Sequence, residues 1–191
     1  MKNTFNEDYK IGKEGEHQVR KMLEQKGFTF KYSSDTDYPE QQKLWDLCMM
    51  KGDKRYLIEI KTSPIITDKF DTGNFAVEYK CSGKKSGIST SKSDIWVEYF
   101  INKSKNNVFF IKTETLKQLI DKNKRNGNIQ IVDTRYTTAK LYLIPRSIFN
   151  NYYSIYTWNR TNSTLTKGYE DYVVSYTGEN TLHDYPDPFN W

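Results

Sequence analysis

The stretch from Leu44 to Thr62 constrains this chain most. Two short apolar runs rich in strand-forming residues flank Lys51, Gly52, Asp53 and Lys54, a turn of the kind that closes a β-hairpin. Asp46 falls on the first run, and Glu59 and Lys61 fall on the second. Side chains alternate along a strand, so Leu57, Glu59 and Lys61 share one face while Tyr56, Ile58 and Ile60 take the other. Two acids and a lysine therefore converge inside otherwise apolar strands, where burying charge without compensation is costly. That convergence marks a candidate divalent-metal site.

Upstream, Ile11, Val19, Met22 and Leu23 follow helical spacing and Gly27 is a natural stop, which predicts a helix over residues 11–27. Glu16 lies on the same stripe as Val19 and Leu23, so it is the helix acid that can face inward, whereas Glu14 turns away. A strand over 28–32 and a polar loop precede the hairpin. Beyond it, alternation predicts a strand over 74–80, which repeats the acid-x-lysine pattern as Glu78 and Lys80. Residues 81–94 read as a small, polar, lysine-bearing loop passing into a short helix near Thr90. Its Lys84, Lys85, Ser89, Thr90 and Lys92 are candidate phosphate contacts, because most protein contacts to nucleic acid position the backbone. The segment is not a nucleotide-binding P-loop, since Glu78 stands where the leading glycine should be and Lys85 where a Ser or Thr should be. Strands follow over 95–101 and 108–112, and Thr113 or Thr115 is placed to cap a helix carrying Leu116, Leu119 and Ile120. Asn126 and Gly127 mark a turn before a late pair of strands over 129–132 and 140–144.

A length of 191 residues suits one main core, here residues 1–145. Residues 146–191 form a Tyr-, Trp- and Asn-rich extension with no clear helical period, expected to pack on that core. With aromatics at 15% of residues, the chain is globular and not a disordered polar tract. The formal charge of +5 is compatible with a polyanionic partner without establishing one. Cys48 and Cys81 read as reduced and buried, and with His17 and His183 they give no spacing for a structural zinc. No run approaches the roughly 20 apolar residues of a membrane span, and the N-terminus lacks a secretory apolar region, so no membrane partner and a cytoplasmic location are expected.

The order helix, strand, acid-bearing strand, Glu-x-Lys strand, then helix and strand resembles the PD-(D/E)XK nuclease superfamily. This group has a restriction-endonuclease-like core and includes archaeal Holliday junction resolvases, restriction enzymes and many phage proteins. Asp46, Glu59 and Lys61 match its acid, acid and lysine, and Glu16 matches the helix glutamate of a subset that includes the resolvases. Residues 71–78 and 87–96 also resemble a group of uncharacterised phage and bacterial nucleases. The likeness spans roughly residues 11–112, and Leu44 and Trp45 stand where the pattern often has a proline.

The resemblance implies an α/β fold with a central mixed β-sheet flanked by α-helices, and a metal-dependent nuclease hydrolysing DNA, expected to be an endonuclease. It implies Mg²⁺, with Mn²⁺ as a substitute, held by Asp46, Glu59 and the backbone carbonyl of Ile60. Lys61 and Glu16 would join the two acids in catalysis, and Glu78 with Lys80 is the rival pair for the active motif. A resolvase-like, branched-DNA substrate would ask for a homodimer, because two coordinated incisions need two active sites. Abundant Lys, Asn, Ile and Tyr fit a phage-encoded protein acting in the host cytoplasm. The competing expectations are a non-catalytic nucleic-acid-binding module on the same fold and an RNA-directed nuclease.

Overall fold

The computed structural model describes residues 5–64, 72–101, 106–134, 138–149, 153–159 and 164–167. Its first element is helix α1, Phe5–Gln25. The helix starts earlier than the apolar period requires, but the expected stripe is its packing face: Val19, Met22 and Leu23 are fully buried. Strand β1, Thr29–Ser33, leads into a short helix α2, Ser34–Asp37, and a 3-10 turn at Pro39–Gln41, where only a polar loop was expected.

The hairpin forms as the sequence predicts. Strand β2, Leu47–Lys51, pairs antiparallel with β3, Lys54–Pro64, from Leu47 opposite Ile58 to Lys51 opposite Lys54. Gly52 is the first of the two turn residues and takes a φ of +57°, which glycine adopts without the Cβ penalty. Strand β4, Asn74–Cys81, is followed by the two-residue β5, Lys84–Lys85, and a 3-10 turn at Gly87–Ser89 just before Thr90. Then come β6, Ile95–Ile101, and β7, Asn106–Lys112. Helix α3, Thr113–Arg125, is preceded by Lys112 as its cap residue, with no side-chain capping bond. The hydroxyl of Thr113 is instead engaged with that of Ser93 at 2.7 Å, so the expected threonine cap is replaced by a buried hydroxyl pair.

Two sheets result. One has seven strands in the order β1-β2-β3-β6-β7-β10-β11, where β10 is Tyr153–Asn159 and β11 is Thr164–Lys167. It is mixed, because β3 and β6 run parallel while its other neighbours run antiparallel. The other has four strands in the order β5-β4-β9-β8, with β8 at Gln130–Asp133 and β9 at Ala139–Pro145. Helix α1 covers one face of the larger sheet, its stripe meeting Ile58, Ile60, Val97 and Tyr99. The opposite face carries Trp96, Phe100 and Phe109, buried against Phe75 and Ile144 of the smaller sheet and Leu116 of α3. The larger sheet is therefore flanked by a helix on one side and by a second sheet with a helix on the other, not by helices alone. The described part of the link between β3 and β6 is strand β4, β5 and the 3-10 turn.

The sequence break at residue 146 is not a break in packing. Arg146 and Phe149 are buried in a 3-10 turn at the end of β9, and β10 pairs with β7 in the larger sheet, with β11 on its outer side. The remainder of the extension, from residue 168, lies outside the described residues. Cys48 is buried and Cys81 only half-buried, and both are free thiols. Among the described residues no helix is long and apolar enough to cross a membrane.

Candidate active site

Asp46 sits just before β2, where the strand runs out. Its N–H donates to the Ile58 carbonyl at 2.8 Å and its carbonyl accepts the Ser34 N–H at 2.9 Å. Its Oδ2 accepts the N–H of Ile60 at 2.6 Å, so the side chain continues a ladder that the backbone has ended. Ile60, Glu59 and Asp46 are thereby fixed against one another by main-chain geometry.

Glu59 points to the face opposite α1 and is 5% exposed. Lys61, two residues along the same face, donates to Glu59 Oε1 at 2.6 Å, and its side chain keeps 37% exposure. Glu59 Oε2 is buried and has no hydrogen-bond partner among the described residues. Such an atom forfeits solvation with nothing in return, a cost that a bound cation would offset.

Glu16 arrives from α1. The approach is close because Gly15 faces Thr62 of β3 so tightly that a Cβ on residue 15 would overlap the threonine side chain. The Glu16 carboxylate is clasped by Lys13, and Lys13 also reaches Asp35 of α2 at 2.8 Å. Asp35 is thus tied to the site through a shared cation. The Asp37 carboxylate accepts the Ser33 N–H. His17 is exposed and takes no part.

The electrostatics are those of crowded acids. Burial pushes the Asp46 carboxyl well above the usual range, and the charges of Glu59 and Glu16 push the same way against the pull of Lys61 and the Ile60 N–H. Glu16 is raised too, chiefly by burial, with Lys13 opposing and Asp35 and Glu59 adding. Burial alone would lower the Lys61 ammonium, but the carboxylates of Glu59 and Asp46 outweigh it and hold it above its ordinary value. Asp35 is lowered, since Lys13 and Ser33 overcome its own burial.

One acid of this cluster was not foreseen. Glu98 of β6 is 3% exposed and stands opposite Lys61 in the parallel register, while Trp96 stands opposite Glu59. Burial lifts its pKa to about 8, moderated by the Trp96 indole and Lys61. An acid inside the apolar run 95–101 was the available signal, the same one that singled out Glu59.

The donor set suits a hard divalent ion. It is all oxygen, it is crowded with negative charge, and it holds the orphaned Glu59 Oε2. Among the described residues no group of three or more His, Cys, Asp or Glu side chains encloses an ion position. Mg²⁺ does not require one, because it is commonly held through one or two carboxylates and retains several waters.

The other singled-out residues lie apart from this centre. Glu78 and Lys80 are on β4 of the smaller sheet, separated by a bulge, with Glu78 opposite Leu141 and Lys80 opposite Lys140. Among the described residues no acid from a neighbouring strand pairs with them, so the rival motif lacks the counterpart that Asp46 gives Glu59. Lys84, Lys85, Ser89 and Lys92 are exposed. Thr90 is half-buried, its hydroxyl donating to the carbonyls of Lys43 and Gly87. The Lys92 N–H and the Ser91 hydroxyl bond to the Leu44 carbonyl, which docks this lysine-bearing segment two residues from Asp46.

Comparison of the chain with protein-family models, with curated proteins and with solved structures finds no match.

Proposed function

We propose that this chain is a metal-dependent nuclease with a restriction-endonuclease-like core, hydrolysing DNA phosphodiester bonds as an endonuclease. One observation carries the proposal: the Asp46 carboxylate at the end of β2 is held beside Glu59 of β3, with Lys61 bonded to Glu59 and one Glu59 oxygen left orphaned. The helix against an antiparallel β1-β2-β3 unit, with β6 parallel to β3, supports it.

Asp46 and Glu59 would hold Mg²⁺, with the Ile60 carbonyl as the further donor that the resemblance implies. The ion, when bound, supplies a Lewis acid for the scissile phosphate and lowers the pKa of a water. Lys61 contributes as a cation. Its ammonium is kept protonated by two carboxylates, so it offsets charge that develops on the phosphoryl oxygens, and proton abstraction falls to another group. Glu16, with its pKa raised, is placed to accept that proton through a water. The exposed Lys84, Lys85, Ser89 and Lys92, on a segment docked at Leu44, would contact the phosphate backbone, whereas Thr90 must first give up its carbonyl bonds.

A substrate panel tests the assignment. Junction, flap, nicked, linear and single-stranded DNA, and single-stranded RNA, are incubated with Mg²⁺ or Mn²⁺ and either wild type or Lys61→Ala. Cleavage of DNA by wild type alone is expected. Binding without cleavage under either ion would make the chain a non-catalytic module, and selective loss of RNA would make it an RNA-directed nuclease.

A further inference from the structure

Glu98 is a buried acid that the chemistry above does not use. It rests in an apolar layer with Phe75, Val77, Phe109 and Phe149, where a carboxyl has no reason to be unless it is tied to something. Two ties are visible. The Trp96 indole Nε1–H donates to Glu98 Oε1 at 2.8 Å, and the guanidinium of Arg146 lies on the same layer, 5.4 Å and 5.8 Å from the ring centroids of Phe100 and Phe109. The indole so fixed is the surface over which Lys61 sits, its ammonium 5.5 Å from the ring centroid. In the parallel register Glu98 is the residue directly opposite Lys61.

A physical difficulty makes this arrangement informative. The hydrogen bond that holds Lys61 in place is made to Glu59, and Glu59 is the acid a metal ion would claim. The ion would draw on the charge of the same carboxylate through Oε2, so a lysine anchored by that bond alone would be held more weakly when the ion arrives. The Trp96 face, fixed by its bond to Glu98, is a second anchor that the ion does not compete for.

We propose that Glu98, acting through Trp96, is the positioning residue that keeps the Lys61 ammonium in place when Glu59 is engaged elsewhere. Glu98 accepts the indole N–H and so fixes the ring plane, and the ring so fixed faces the ammonium. The inference rests on the nuclease assignment for its catalytic consequence, but the coupling of Glu98, Trp96 and Lys61 does not.

The test has a kinetic arm and a spectroscopic arm. Glu98→Ala is expected to lower kcat for DNA cleavage by about ten- to a hundredfold, the usual effect of removing a group that orients a catalytic one, with KM held within about twofold. Glu98→Gln keeps an acceptor for the indole and is expected to recover part of that loss. If Glu98→Ala does not fold, Trp96→Phe, which deletes the N–H donor and keeps a ring, takes its place against Glu98→Gln. In ¹⁵N spectra the Trp96 indole resonance is expected to move on Lys61→Ala in the otherwise native chain and to move less on the same change in the Glu98→Ala background. Native kcat in both Glu98 variants, or an indole resonance indifferent to Lys61, would overturn the proposal. A wild-type chain that cleaves nothing would sink the nuclease assignment alone, and the spectra would still decide the coupling.

Discussion

The carboxylate of Asp46 accepts the backbone N–H of Ile60 at 2.6 Å, so an acid of the candidate metal site is also the last rung between β2 and β3. Structure and function are therefore separable at this position by choice of substitution. Asp46→Asn keeps an acceptor for the rung and removes a charge that Glu59 and Glu16 oppose, so the metal-free protein should melt at or above the wild-type temperature at pH 8. Asp46→Ala leaves the Ile60 N–H unpaired and should cost about 1–3 kcal/mol in urea unfolding. Both variants should lose Mg²⁺-dependent cleavage. A destabilised Asp46→Asn that still cleaves would show that the residue serves the ladder alone.

Stability should fall as pH rises in the absence of metal. Glu98 is lifted from its ordinary 4.5 to about 8, and Asp46 and Glu16 are raised as well. Between those limits the native state holds protons that the unfolded chain has released, so the slope of stability against pH is negative. The raised Lys61 favours the fold throughout this window, because it stays charged in both states until far higher pH, and the lowered Asp35 acts only near and below its ordinary pKa. Melting temperatures of chelated protein at pH 5 and pH 8 are the measurement, with the lower value expected at pH 8. Added Mg²⁺ should raise the melting temperature more at pH 8, since an ion binds only ionised carboxylates.

Gly15 is a point of close approach between α1 and β3. A Cβ there overlaps Thr62, so Gly15→Ala should force the helix outward and cost about 1–3 kcal/mol, more than offsetting the better helix propensity of alanine. Because Glu16 is carried on the same turn, cleavage should fall in proportion beyond the loss of folded protein. Denaturant unfolding and specific activity measured on the same preparations would separate the two effects. Gly15→Ala with unchanged stability would mean that α1 does not press on β3 here.

The hairpin, its two faces and the apolar stripe of α1 were legible because each is a local pattern. Period 2 puts Glu59 and Lys61 together whatever the sheet does, and period 3.6 puts Glu16 on the side of Val19. Glu98 was not legible as a partner of Lys61, because that relation arises only when β6 lies parallel to β3 in one register, which no local window encodes. The second sheet was hidden for the same reason. Strand β4 reads as a strand, yet nothing near it says that it pairs with β9, some sixty residues away, and not with β3. Thr113 looked like a helix cap by its position, and a hydroxyl partner from Ser93, distant in sequence, took it.

Glu78 and Lys80 provide the internal control. They carry the same letters as the proposed pair but sit on β4 with, among the described residues, no acid opposite them on a neighbouring strand. Glu78→Ala should cleave DNA at the wild-type rate within about threefold. A dead Glu78→Ala beside an active Glu59→Ala would move the site to the smaller sheet.

The most direct measurement is the Mg²⁺-dependent conversion of supercoiled plasmid to nicked and linear forms by purified wild type, Glu59→Ala and Lys61→Ala, each shown to be folded by circular dichroism. The expected result is conversion by wild type with Mg²⁺, none with chelator, and a loss of at least about a hundredfold in both variants. Undiminished conversion by both variants would contradict the assignment of Glu59 and Lys61 as the catalytic pair.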